Sequence, residues 1–369
     1  MMEQKRIELA LQGGGAHGAF TWGVLDRLLE DERIEIAALS GTSAGAMNAV
    51  AVADGLTRAG RDGAREALAR FWRAVSDAAR FSPLRRGLLD MLFGRWSLDA
   101  SPGYVALDLL SRLASPYDLN PWDVNPLRDV VAAEIDFARV NACDATRVFV
   151  TATNVRTGLP KVFRQGDITL DAVMASACLP NLFKAVEIDG EAYWDGGFMG
   201  NPALFPLVDE SDCRDMVIVQ INPIRRDKLP TSAPDILNRM NEITFNASLI
   251  KELRAITLLR QLIEAEGLER ESYRDMRLHR IGGEGLEHLS VSSKFNAEWA
   301  FLAHLRDLGR DAADRWLAEN FDALCVRSTF DPAALFAGSV RDPEWPRDAS
   351  AGEAGAGAKP RRRKAGDAT

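Results

Sequence analysis

The sequence is short of the residues that metal centres and disulfide frameworks need. Its four cysteines, Cys143, Cys178, Cys213 and Cys325, form no CxxC pair, so neither a zinc site nor a dense set of disulfides is encoded. That usage suits a reducing cytoplasm. Histidine is equally scarce: none of His17, His279, His288 and His304 follows a strand end in the Ser, Asp, His order of an α/β-hydrolase triad. Positive charge is also in deficit. Lys and Arg number 45 against 53 Asp and Glu, a formal charge of −8, which argues against a nucleic-acid binder. No export signal is legible, because Glu8 interrupts the apolar stretch near the start. Two spans, Leu9 to Leu25 and Ile36 to Ala53, carry no charged residue. Both contain glycines and polar residues that a bilayer would leave unsatisfied, so they read as strand, glycine turn and buried helix rather than as membrane spans.

What is present is an ordinary globular composition, with 47% hydrophobic and 27% charged residues over 369 positions. That length suits one large α/β domain with added cover, or two modest domains. The apolar run Ile7 to Leu11 leads into a glycine turn, Gly13 to Gly18, and then a helical pattern of Phe20, Val24, Leu25, Leu28 and Leu29. A second unit follows, with a strand over Ile34 to Leu39, a turn over Ser40 to Gly45 and a small-residue helix over Ala46 to Ala53. Two consecutive βα units predict a mostly parallel central sheet with helices on both faces, a three-layer α/β fold. Further strands are expected over 148–153, 161–163 and 216–221, with a hairpin of 186–188 and 192–194 around Asp189-Gly190.

The expected organisation is a catalytic core over 1–222, a helical C-terminal elaboration packed on it over 223–348, and a disordered tail over 349–369. The core carries an irregular insertion over about 81–125, whose apolar residues, among them Leu88, Leu89, Met91, Leu92, Phe93 and Trp96, serve either as ordinary cover or as a lid or lipid-contact surface. Within the elaboration a long helix over Asn238 to Ala265 should turn Ile243, Leu249, Leu253, Ile256, Leu259 and Ile263 inward, and another runs through Ala297 to Asn320. The tail is basic: Lys359, Arg361, Arg362, Arg363 and Lys364 outweigh Glu353 and Asp367. It is either an inert solvated end or an anchor for an anionic membrane.

The chemistry concentrates in three places. Gly41-Thr42-Ser43-Ala44-Gly45 matches GxSxG between a strand and a helix. Flanking glycines are what a sharp turn presenting a serine nucleophile requires, and the helix after it aims its N-terminus at developing negative charge. Gly13-Gly14-Gly15-Ala16-His17-Gly18 fits GxGxxG. As a dinucleotide fingerprint it would need a carboxylate at the end of the second strand, where Ser40-Gly41 stands instead. As an oxyanion hole it would offer the amides of Gly13, Gly14 and Gly15; as a bare turn it would do neither. Asp195 follows an aromatic strand and precedes Gly196-Gly197. Alone it reads as a turn former; beside the other two motifs it becomes a candidate base, provided its site is desolvated.

These elements, in this order, resemble the patatin-like phospholipases, lipid acyl hydrolases with a Ser-Asp dyad. Asn125-Pro126-Leu127-Arg128, Ile135-Asp136-Phe137, the stretch Ala152 to Gly158, and Ala175-Ser176-Ala177-Cys178-Leu179-Pro180 with Phe183 are similar to bacterial members, so the resemblance spans roughly residues 7–222. It implies Ser43 as nucleophile, Asp195 as general base, Gly13, Gly14 and Gly15 as the oxyanion hole, and Gly18, Gly41, Gly45, Gly196 and Gly197 as supports. It further implies a lipid or other acyl-ester substrate, no cofactor or metal, no nucleic-acid partner, and a cytoplasmic protein with peripheral membrane contact as an option. The competing expectations are an acyl-chain or partner-binding protein of the same fold and a nucleotide binder. Position 17, commonly Arg or Lys in the family, is His17 here; it either tunes activity with pH or only packs at the turn.

Overall fold

The computed structural model describes residues 4–87, 90, 94–267, 275–283 and 285–336. The chain divides into two units, residues 1–331 and 332–369. Of the second, the described residues hold one short helix, Ala333–Phe336. Leu88, Leu89, Met91, Leu92 and Phe93 of the insertion, and the basic tail, lie outside the described residues.

The first unit is organised by an eight-stranded mixed sheet, ordered β5-β6-β3-β2-β1-β7-β8 with β4 paired to β3. The strands are β1 (Lys5–Leu11), β2 (Ile34–Gly41), β3 (Arg147–Asn154), β4 (Pro160–Arg164), β5 (Val186–Ile188), β6 (Glu191–Asp195), β7 (Asp215–Gln220) and β8 (Arg277–Gly282). Strands β1, β2, β3, β7 and β8 run parallel, β4 and β6 run antiparallel to β3, and β5 pairs antiparallel with β6. Helices of seven residues or more are α1 (Gly18–Glu30), α2 (Ala44–Ala78), α3 (Pro102–Leu113), α4 (Pro126–Glu134), α5 (Leu170–Ser176), α6 (Ala233–Glu266) and α7 (Trp299–Asn320). The steps from β1 to β2 and from β2 to β3 progress in one direction across the sheet, so right-handed crossovers place α1 and α2 on the same face. The step from β7 to β8 runs the other way and carries α6 to the opposite face. The fold is therefore the three-layer α/β arrangement expected.

Near-continuous burial of β1, β2 and β7 explains their unbroken apolar runs, since a parallel strand covered on both faces has no solvent side to mark with polar residues. β8 differs. The sequence reading had only helices beyond residue 222, yet Arg277-Leu278-His279-Arg280-Ile281-Gly282 pairs with β7 along its whole length. Two arginines and a histidine among six residues hide the strand. Arg277 is accommodated by the Asp215 carboxylate (2.6 Å), and Arg280 points outward.

α6 departs from expectation in one detail. Leu249, Leu253 and Ile263 are buried as predicted, but Ile243 is exposed. The inward stripe of its first half is polar, with Glu242 and Asn246 buried in register with Leu249 and Leu253, so Ile243 falls on the outer side. Asn246 belongs to the network around the glycine turn described below, and Glu242 is bridged to Arg226 and Arg239.

α2 contains two helical halves that meet at Ala59-Gly60. A buried bridge ties the later half back to the first half and to α1: Trp72 Nε1 donates to Asn48 Oδ1 (2.9 Å), and Asn48 Nδ2 donates to the Gly18 carbonyl (2.9 Å). Asn48 is fully buried, so Asn48→Ala strands a donor and an acceptor without water. The expected cost is about 1–3 kcal/mol for each group left unpaired, read as a lowered melting temperature by circular dichroism.

The described part of the insertion packs inward only in part: Leu98, Ser101 and Pro116 are buried. No residue of α3 is buried, and Leu113 and Trp122 are 74% and 86% exposed. Ordinary packing therefore does not account for the exposed apolar side chains of α3 and of Trp122. Trp96 behaves differently, stacking on Phe301 of α7.

Candidate active site

The parallel strands end together at one edge of the sheet, where turns after β1, β2 and β7 meet. β2 stops at Gly41 and α2 begins at Ala44, so Thr42 and Ser43 must reverse the chain at once. Ser43 takes φ +54° and ψ −123°, a conformation that costs an L-residue about 1–3 kcal/mol. Several bonds hold it there. The Ser43 amide donates to Ser176 Oγ (2.9 Å), whose hydroxyl donates to the Thr151 carbonyl (2.6 Å). Thr42 Oγ1 donates to the Gly200 carbonyl (2.6 Å), and the Gly45 amide donates to the Thr42 carbonyl (2.8 Å). Gly45 leaves no room for a side chain: a Cβ there would stand 2.2 Å from the Leu11 carbonyl oxygen. Gly18 faces Ala44, Gly41 faces the Gly45 backbone, Gly196 faces Thr151, and Gly197 faces Phe245.

Sheet register brings Asp195 to Ser43. β3 pairs with β2 through Val150 and with β6 from Ala152 onward, while β4 lines its other edge through the same stretch. β6 therefore occupies the edge that β2 vacates, and Asp195, opposite Ala152, stands just past the end of β2. The Gly197 amide donates to Asp195 Oδ1 (2.7 Å), the Asp195 amide donates to the Cys178 carbonyl (2.8 Å), and the Ser43 hydroxyl is near enough to the carboxylate to lower its pKa. Asp195 is 1% exposed. Burial raises its pKa to about 7, against the opposing pull of the Gly197 amide, the Ser43 hydroxyl and the Lys294 charge.

The glycine turn after β1 lies against the same serine. A Cβ on Gly13 would fall 2.7 Å from the Ser43 Cβ, so only glycine fits beside the serine. The Gly13 amide donates to Asn201 Oδ1 (2.6 Å), which corrects the expectation of three free donors. That acceptor comes from the loop after β6, distant in sequence and invisible to motif spacing. The amides of Gly14 and Gly15 meet no acceptor among the described residues.

A network of side-chain amides fixes the turn from behind. Gln12 Oε1 accepts from the Ile221 and Asn222 amides (2.9 Å each), and Gln12 Nε2 donates to the Asn201 carbonyl and to Asn246 Oδ1 (3.1 Å each). Asn222 Nδ2 donates to the Gly13 carbonyl (2.8 Å), and Lys294 Nζ donates to Asn222 Oδ1 (2.7 Å). Sequence reasoning missed Gln12, Ser176, Asn201, Asn222, Asn246 and Lys294. Gln12 and Asn222 carry a usable signal, since each follows the C-terminal end of a buried parallel strand, where α/β folds place their sites.

His17 is buried and hydrogen-bonded to Ser293 Oγ (2.7 Å). Burial, with Lys294 and Arg226 nearby, pushes its pKa well below the usual imidazole range, so it stays neutral and supplies no pH-dependent charge around neutrality. His279 bonds Asp215 and Thr329 at the start of β7, about 20 Å along the sheet from the glycine turn at 3.3 Å per residue. His304 is exposed against Trp96. No carboxylate stands at the end of β2 to bind a ribose: Ser40 is there, its hydroxyl donating to the Ala203 carbonyl (2.6 Å).

The family model described as patatin-like phospholipase matches residues 9–208, more than half of the chain. The chain belongs to the patatin-like phospholipase family. The matched range contains Ser43, Asp195 and the glycine turn, and it ends before β7, Asn222 and Lys294. Membership places the chain among lipid acyl hydrolases. No curated protein sequence matches it. Among solved structures it is similar to VipD from Legionella pneumophila, at 17% identity and a TM-score of 0.41, covering 86% of this chain and 67% of that one. At that distance the likeness adds nothing to the family assignment. Among the described residues no helix is long and apolar enough to cross a membrane.

Proposed function

We propose that this patatin-like protein hydrolyses fatty acyl esters through a Ser43–Asp195 dyad and an acyl-enzyme. The observation that carries this reading is a serine held at φ +54° between β2 and α2, beside a buried carboxylate whose pKa its hydroxyl lowers. Asp195 accepts the Ser43 proton as Oγ attacks the ester carbonyl. The amides of Gly14 and Gly15 receive the tetrahedral oxyanion, and the N-terminus of α2 adds positive potential. Collapse expels the alcohol, which takes the proton from Asp195. Water then gives a proton to Asp195 and attacks the acyl group, and Ser43 leaves with that proton, restoring the dyad.

Hydrolysis of p-nitrophenyl acyl esters together with covalent labelling by a fluorophosphonate tests the proposal. A wild-type protein that turns over esters and is labelled at Ser43 supports it. Absence of both would leave a fold that binds acyl chains without chemistry. A panel of phospholipid, neutral-lipid and short-chain esters then identifies the natural class.

Peripheral contact with a lipid surface belongs to the same reading. Val105, Leu109 and Leu113 lie on one side of α3, and Trp122 and Val124 follow, all exposed. Replacing Leu113 and Trp122 together by Ser is expected to weaken binding to phosphatidylcholine vesicles about tenfold or more, from the apolar area lost. Vesicle co-sedimentation checks it, with p-nitrophenyl acetate turnover unchanged.

A further inference from the structure

We propose that Lys294 is a positioning residue for the oxyanion turn: acting through Asn222, its ammonium polarises the Gly13–Gly14 peptide and strengthens the Gly14 amide as a donor to the oxyanion. The inference rests on the hydrolase reading above. Its basis is a continuous line of hydrogen bonds. Lys294 Nζ donates to Asn222 Oδ1 (2.7 Å), and Asn222 Nδ2 donates to the Gly13 carbonyl (2.8 Å). That carbonyl and the Gly14 N–H are the two ends of one peptide unit. A donor placed on the oxygen draws electron density toward it and leaves the N–H a stronger donor, and bonds in series reinforce one another. With an ion at the head of the series the effect is larger.

The line is rigid. Asn222 is 1% exposed, and its backbone amide and Nδ2 both face Gln12 Oε1 (2.9 and 3.3 Å), so its amide cannot turn over without losing bonds. Lys294 sits in the short turn Val291–Phe295, whose backbone lies against Gly15, where a Cβ would meet the Lys294 carbonyl at 2.5 Å. The turn that holds Lys294 therefore also braces the glycine loop.

The charges around Lys294 leave its field available. Glu242 of α6 lines the same small cavity as His17, Asn222, Arg226 and Lys294, and it is already bridged to Arg226 and Arg239. Asp195 lies on the substrate side and is itself drawn down in pKa by Lys294. His17, hydrogen-bonded to Ser293, is neutral. Burial and Arg226 lower the Lys294 pKa to about 8, opposed by Glu242 and Asp195. The ammonium is thus lost just above neutrality, and the donor strength it supports is lost with it.

The test uses the full chain and the second-order rate of fluorophosphonate labelling at Ser43, followed over about pH 6–9.5. In the wild type the rate should fall as Lys294 deprotonates. Lys294→Met should lower the rate at neutral pH by about five- to tenfold, less than loss of a whole oxyanion donor, and should abolish the alkaline fall. Lys294→Arg, charged throughout, should recover the rate and also lack the fall. In ester hydrolysis the loss should appear in kcat with KM nearly unchanged. Asn222→Ala should lower the rate at least as far and likewise remove the alkaline fall, because it cuts the same line next to the turn.

Equal labelling rates and identical alkaline limbs in wild type and Lys294→Met overturn the inference. Should the Met variant not fold, the Arg variant decides: an alkaline fall that persists in it overturns the proposal, and its disappearance supports it. A wild-type protein that is not labelled at all overturns the hydrolase reading beneath, an outcome distinct from labelling that ignores Lys294.

Discussion

Ser43→Ala is expected to abolish fluorophosphonate labelling and to lower ester turnover by about 10⁴–10⁶-fold, the range seen when a serine nucleophile is removed from a preorganised site. No other hydroxyl can replace it. Thr42 Oγ1 is committed to the Gly200 carbonyl and Ser176 Oγ to Thr151, both buried and turned toward the scaffold. Alanine inherits the same φ of +54°, so the turn keeps its strain and the fold its stability. Ser43→Gly is the informative companion. It should be equally inactive, yet more stable by roughly 1 kcal/mol, because glycine adopts that conformation without penalty. Thermal melts of the two variants beside their turnover separate loss of chemistry from loss of fold. Turnover by Ser43→Ala at the wild-type rate would sink the dyad.

How much of this was legible beforehand depended on the kind of contact involved. The βα units around Gly13 and Ser43 were readable because each is local: an apolar run, a glycine turn and a helical stripe within about thirty residues, the scale of one βα repeat. The hairpin that delivers Asp195 was readable for the same reason, from Asp189-Gly190 between two short strands. What escaped the sequence was non-local or polar. β8 was missed because an edge strand can carry arginines that find partners only in the folded sheet. An apolar helical stripe points Ile243 inward, whereas Glu242 and Asn246 hold the inward positions there. Gly13 was counted as an oxyanion donor because its partner, Asn201, lies 188 residues away. The amide network of Gln12, Asn201, Asn222 and Asn246 has no periodicity at all. Its members are ordinary polar residues until the parallel strands bring their ends together.

Asp195→Asn is expected to reduce turnover by about 10³–10⁴-fold, toward the upper range for a general base, because no histidine stands near enough to take over. The pH dependence carries the sharper signature. Asp195 acts only as a carboxylate, and burial has raised its pKa to about 7. Wild-type kcat/KM should therefore climb with pH to a maximum just above neutrality, ahead of the alkaline fall assigned to Lys294, and the rising limb should vanish in the residual activity of Asp195→Asn. The same shift carries a cost in stability. A carboxyl that holds its proton more tightly when folded than when unfolded stabilises the fold below its unfolded pKa, and that contribution is lost as pH rises through the folded value. Asn keeps an oxygen for the Gly197 amide and never ionises. The variant should accordingly melt higher than wild type at pH 8, with the advantage disappearing at acid pH where Asp195 is protonated in both states. A catalytic base made of a buried carboxylate thus destabilises the protein in the pH range where it works, and opposite movements of activity and melting temperature in one substitution are the mark of that arrangement. Equal melting temperatures at pH 8, with activity retained, would place the working base elsewhere.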